Sequence, residues 1–100
     1  MALRNTTKES NIERLLVKEV KALGGKAVKM IPTYEAGIPD RLVLFKGNAI
    51  FVELKREGLK PKTLQLRYME ELNRMGFHTE VIDSVEKIKE FLNYLQNLRV

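Results

Sequence analysis

Asp40 and the triplet Glu53-Leu54-Lys55 lie on either side of the short turn Lys46-Gly47-Asn48, so the chain can bring two carboxylates and an ammonium together. Such a set can hold a divalent cation and place a water beside a phosphate ester, which is what cation-assisted phosphodiester hydrolysis requires. If residues 40–46 and 49–56 form a hairpin with Gly47-Asn48 as its two-residue loop, Leu44 faces Phe51, Leu42 faces Glu53 and Asp40 faces Lys55. Side chains alternate between faces, so Asp40, Glu53 and Lys55 share one with Leu42, Leu44 and Phe51. The other face carries Val43, Phe45, Ile50, Val52 and Leu54. Charge on an apolar strand face is costly unless it is paired or bound to a metal. The bland reading is a frayed strand end with a cross-strand ion pair. A second Glu-x-Lys, Glu19-Val20-Lys21, sits in a helical pattern and reads as a solvated face.

Two more polar residues occupy inward positions. Gln65 leads the helical series Gln65, Tyr68, Met69, Leu72, where periodicity expects an apolar side chain. Its amide can serve a scissile phosphate, a water or a ligating carboxylate, or it can be a half-exposed first-turn residue. Glu13, stacked with Leu16, Val17 and Val20, can supply a third carboxylate. It can equally close a capping box with Ser10, and an earlier helix start at Thr6 to Glu9 would release it. Lys60, Lys62 and Arg67 surround the start of the Gln65 helix, while Lys29, Arg41 and Arg56 flank the hairpin. These cations are candidate DNA-binding residues or ordinary surface. Tyr34 stands in the loop before Asp40 as a candidate stacking residue. His78 has no nucleophile nearby in sequence and reads as structural or exposed.

Positioning these groups falls to seven elements. Ile12, Leu15, Leu16, Val20 and Leu23 mark a first helix that ends at Gly24-Gly25. Residues 26–31 alternate as a strand, with Val28 and Met30 on one side and Ala27 and Ile31 on the other. The loop 32–39 leads into the hairpin, and Pro61 suits the first turn of a helix running to Gly76. Residues 77–82 form a strand, Asp83 or Ser84 caps the last helix, and Val85, Ile88, Leu92, Leu95 and Leu98 make its stripe. The order is α-β-β-β-α-β-α, and residues 1–100 read as one α/β domain.

Composition bounds the chemistry. With no cysteine and one histidine, neither a disulfide nor a thiolate or imidazole metal site can be built, so a cation must be held by oxygen. Asp and Glu favour hard cations such as Mg2+ or Mn2+, and magnesium is held by one or two carboxylates plus phosphate oxygens. The balance of 18 Lys+Arg against 13 Asp+Glu, a formal charge of +5, favours a polyanionic partner. No window is apolar for long enough to span a bilayer, and the polar N-terminal stretch has no signal-peptide pattern; cytoplasmic is the default expectation.

The ordered set Gly37-Ile38-Pro39-Asp40, Glu53-Leu54-Lys55 and Gln65, preceded by Glu13 in a helix ending at Gly24, resembles the PD-(D/E)xK nuclease superfamily and, within it, the VRR-NUC family. The resemblance implies a restriction-endonuclease-like core with a central mixed sheet flanked by helices, and Mg2+- or Mn2+-dependent cleavage of DNA to 5′-phosphate ends. It assigns Asp40, Glu53 and the Leu54 carbonyl to the metal and Lys55 to the attacking water. Gln65 becomes the family glutamine, and Glu13 the first-helix glutamate, with Glu9 as its rival. Small members are similar to resolvases of four-way DNA junctions, which implies a homodimer, a role in DNA repair or recombination, and a viral or bacterial context. Nuclease action on flap, nicked or single-stranded DNA, or on RNA, is the alternative within the class. A non-catalytic DNA-binding module is the alternative outside it.

Overall fold

The computed structural model describes residues 8–31 and 36–98. Seven elements follow one another: α1 (Glu9–Ala22), β1 (Lys26–Lys29), β2 (Arg41–Phe45), β3 (Asn48–Leu54), α2 (Thr63–Arg74), β4 (His78–Ile82) and α3 (Val85–Gln96). The strands form one sheet in the order β1-β2-β3-β4, antiparallel except for the parallel pair β3–β4. Parallel neighbours need a crossover, and α2 provides it. The expected order α-β-β-β-α-β-α and the mixed sheet flanked by helices are therefore what the chain forms.

One sheet face is dry because its alternate residues match two helical stripes. Ile12, Leu16 and Val20 of α1 and Ile88, Phe91 and Leu95 of α3 pack on Ala27, Val43, Phe45, Ile50, Val52, Leu54 and Ile82, all buried. Each such aliphatic side chain contributes roughly 1.5–3 kcal/mol by leaving water. The opposite face is only partly covered: α2 lies against β4, with Met69 and Leu72 as its buried contacts.

Several boundaries differ from the expectation. The hairpin turns at Lys46-Gly47, not at Gly47-Asn48, so Phe45 pairs with Asn48 and Leu42 with Phe51. Positive φ at both Lys46 (48°) and Gly47 (79°) makes this a type I′ turn, which favours glycine second. The Asn48 side-chain amide then donates to the Phe45 and Lys46 carbonyls. Relative to the expected register the strands shift by two residues, which leaves every side chain on its expected face. β1 stops at Lys29, and Ile31 is exposed. Pro61 precedes the N-cap Lys62 and lies outside α2. Ser84, not Asp83, caps α3, its hydroxyl accepting from the Lys87 N–H at 3.1 Å.

Candidate active site

The site forms where β2 begins and β3 ends. The last pair of that ladder is Arg41 with Val52, so Asp40 comes alongside Glu53. The Leu54 N–H donates to Asp40 Oδ2 at 2.8 Å, which fixes that carboxylate against the end of β3. Beyond it the Lys55 N–H donates to the Ile82 carbonyl at 3.0 Å and prolongs the parallel pairing past the site. Asp40, Glu53 and Lys55 thus stand together on the sheet face opposite α1 and α3, through a closer pairing of Asp40 with Glu53 than the expected register gave.

Glu53 is the one charged residue fully buried among the described residues, at 1% exposure. Its Oε2 accepts from Gln65 Nε2 at 2.6 Å and lies 3.1 Å from Lys55 Nζ. Its Oε1 is buried without any hydrogen-bond partner. Burial, and next the neighbouring Asp40 charge, push the Glu53 carboxyl up to about 7 against the pull of Lys55. A buried carboxylate oxygen without a donor is the kind of group that a cation satisfies, and the donors here are all oxygen. Among the described residues no three carboxylate or imidazole side chains enclose a cation unaided. A hard cation at Asp40, Glu53 and the Leu54 carbonyl would complete its shell with water or phosphate oxygen, which fits magnesium.

Gln65 reaches this group because of how α2 starts. It is the third residue of the helix; its Oε1 accepts from the Lys62 N–H at 2.8 Å while Nε2 donates to Glu53. The helix therefore begins with half of a capping box, Lys62 having no acceptor to offer in return. Gly37 sets the distance. Its φ is +84°, and a Cβ there would lie 2.7 Å from the Leu64 carbonyl oxygen and 3.2 Å from the Gln65 nitrogen. The first turn of α2 thus rests on the Gly37 backbone, and buried Pro39 follows before Asp40.

The first helix presents its two glutamates differently. Glu13 Oε2 takes both the Nε and Nη2 donors of Arg41, at 2.9 and 2.8 Å, and Arg41 Nη1 donates to the Ala27 carbonyl. Glu13 is thereby committed to tying α1 to β2, and Arg41 is spent on the same tie. The Ser10–Glu13 capping box does not form, because α1 already starts at Glu9 with Lys8 as N-cap. Glu9, one turn earlier, is exposed but senses the site: loss of water contact, and next the Asp40 charge, raise its carboxyl above the ordinary value. Lys55 opposes that shift, and Glu9 in turn raises Glu53.

The remaining candidates scatter. Lys29, Arg56, Lys60, Lys62 and Arg67 are exposed, the last four between the end of β3 and the first turns of α2. Tyr34 lies outside the described residues. His78 pairs with Glu80 and stacks on Tyr94 at 4.5 Å, at the opposite end of β4 from the site. Sequence reasoning missed the packing role of Gly37, whose only signal was a glycine three residues before Asp40.

No family model matches the chain. It is 45% identical over 78 residues, 77% of this chain and 84% of the other, to the protein named “Putative nuclease p44” of Acyrthosiphon pisum secondary endosymbiont phage 1. Among solved structures, one titled “VRR_NUC domain” superposes with a TM-score of 0.82 at 31% identity, covering 88% of this chain and 97% of that one. By these two similarities the chain belongs to the VRR-NUC family of nucleases.

Proposed function

We propose that the protein is a Mg2+- or Mn2+-dependent DNA endonuclease whose site is Asp40, Glu53, Lys55 and Gln65. The observation that carries this reading is the buried, unpartnered Oε1 of Glu53 beside Asp40. Asp40, Glu53 and the Leu54 carbonyl would hold the cation, which when bound would polarise the phosphoryl oxygen and favour ionisation of water. Gln65 and Lys55 hold Glu53 Oε2 and leave Oε1 free to take a cation. Lys55 also places the attacking water and stabilises charge growing on the phosphate. Water adds in line at phosphorus and gives up a proton to solvent, the P–O3′ bond breaks, the leaving 3′-oxygen takes a proton from solvent, and 5′-phosphate and 3′-hydroxyl ends remain. The first-helix carboxylate is Glu9, because Glu13 is engaged by Arg41 while Glu9 feels Asp40 and Lys55. Arg56, Lys60, Lys62 and Arg67 flank the site as phosphate contacts.

The finer reading is a homodimer acting on branched DNA, four-way junctions in particular, in repair or recombination within a phage or bacterial setting. One site per chain cuts one strand, so paired cuts need two copies. Support for a second copy comes from the sheet face opposite α1 and α3, where Val28, Leu42 and Leu44 follow one another across β1 and β2 and Leu44 is 41% exposed. A DNA-binding module without catalysis has no use for a buried Glu53 facing Asp40.

Incubating the protein with labelled four-way junction, flap, linear duplex and single-stranded DNA, at one stated salt, tests both levels. Cleavage should require Mg2+ or Mn2+, stop with chelator and be fastest on the junction. Glu9→Gln should slow it more than Glu13→Gln. Binding without cleavage of any substrate would leave only the DNA-binding module.

A further inference from the structure

The outer face of α1 differs from those of the other two helices. Arg14, Lys18 and Lys21 recur at i, i+4 and i+7, so they stand in one exposed row with Ser10, beside half-buried Val17. Beside that row run two concavities that share Val17. The first, of about 470 Å³, is bounded by Arg14 and Lys18 on one side and by Arg41 on the other. The second, of about 340 Å³, continues past Lys21 to Lys26 and Ala27 on the edge strand β1. Together they make a groove between α1 and the sheet edge.

This groove is cationic on balance. Its one acid, Glu13, is neutralised by two hydrogen bonds from Arg41, whereas Arg14, Lys18, Lys21 and Lys26 have no ion-pair partner among the described residues. Elsewhere Arg74 of α2 pairs with Glu70, and Lys87 of α3 with Asp83. The groove also starts beside the site, since Arg41 in its wall directly follows Asp40 in the chain.

Resting on the nuclease reading, we propose that the α1–β1 groove holds the phosphate backbone of a duplex DNA arm running away from the active site. Arg14, Lys18, Lys21 and Lys26 supply the phosphate contacts, and the Arg41–Glu13 pair forms the wall between them and the site. Seven helical residues advance roughly 10 Å, which matches about three phosphates of one strand at ~3.4 Å of axial rise each. Duplex is favoured over single strand because no aromatic side chain lines the groove, and single strands are held by stacking on aromatics. Contacts confined to phosphate carry no sequence information, so this arm is bound whatever its sequence.

The test is binding of a short labelled duplex in chelator, followed by fluorescence anisotropy over a salt series. It compares the wild-type protein, the triple variant Arg14→Ala/Lys18→Ala/Lys21→Ala, the charge-keeping Arg14→Lys/Lys18→Arg/Lys21→Arg, and Lys89→Ala on α3. Each lost phosphate contact lowers the slope of log K against log salt by about 0.9. The alanine triple should therefore lose roughly two to three from the slope, with affinity falling about tenfold or more at moderate salt. The charge-keeping triple and Lys89→Ala should retain the wild-type slope. An unchanged slope in the alanine triple, or an equal loss in Lys89→Ala, would overturn the proposal. So would a larger loss on single-stranded DNA than on duplex. Binding in chelator is independent of cleavage: a protein that cuts DNA with an unchanged slope removes the groove alone, and one that cuts nothing yet loses slope removes the nuclease reading alone.

Discussion

Glu53 concentrates the tension in the site at the scale of single residues. Its carboxyl is buried beside Asp40, satisfied at Oε2 by Lys55 and Gln65 and unsatisfied at Oε1. Burial and Asp40 raise it to about 7, so the folded protein binds this proton more tightly than the unfolded chain does. Its contribution to stability is therefore fully present below the ordinary glutamate range and is lost as pH rises through about 7. The loss is on the order of 3 kcal/mol. Thermal melts of the cation-free protein should show Tm falling between about pH 5 and about pH 8, and Glu53→Gln should remove most of that slope. Mg2+ should raise Tm at the upper pH and not at the lower, because cation and proton compete for one carboxylate. A Tm independent of pH, or a Mg2+ effect equal at both ends, would contradict this picture.

The elements set the spacing of these residues. α2 delivers Gln65 only because its first turn rests on Gly37, where φ is +84° and a Cβ would strike the Leu64 carbonyl. Gly37→Ala should cost about 2 to 4 kcal/mol from left-handed strain and overpacking together. It should also slow cleavage at temperatures where the variant is still folded, since Gln65 is pushed off Glu53. Gly47→Ala is the comparison, with a similar φ of +79° but open space around it. It should lose stability by about 1 kcal/mol and keep its cleavage rate; equal loss of rate in both would show that Gly37 acts through stability alone. Periodicity made the elements legible: the Ile12, Leu16 and Val20 stripe and the alternation Val43, Phe45 mark the buried faces directly. It did not reveal the register of the hairpin. A shift by two residues preserves every face, so the hydrophobic pattern is blind to it, and the turn geometry at Lys46-Gly47 decides. The pairing of Glu13 with Arg41, 28 residues apart, was equally hidden, since it depends on how α1 lies on the sheet.

At the scale of the whole molecule, two helices cover one sheet face and a third covers only part of the other. If the open part is where a second copy sits, Leu44→Glu should convert a dimer to a monomer in light scattering while the far-UV circular dichroism stays unchanged. A dimer that survives Leu44→Glu would move the interface elsewhere, and a monomeric wild-type protein would remove it. The same architecture brings the start of β2, the end of β3 and the first turn of α2 to one corner, where Asp40, Glu53, Lys55 and Gln65 meet. Asp40, Glu53 and Lys55 were legible as a group because alternation alone keeps them on one face. Whether this corner is a cation-dependent nuclease site is decided by cleavage of labelled DNA in Mg2+ by Asp40→Ala and Lys55→Ala beside the wild-type protein, with DNA binding measured in parallel. Both variants should bind DNA with affinity close to wild type and cut it at least about a thousandfold more slowly; full activity in both variants would contradict a nuclease site at this corner.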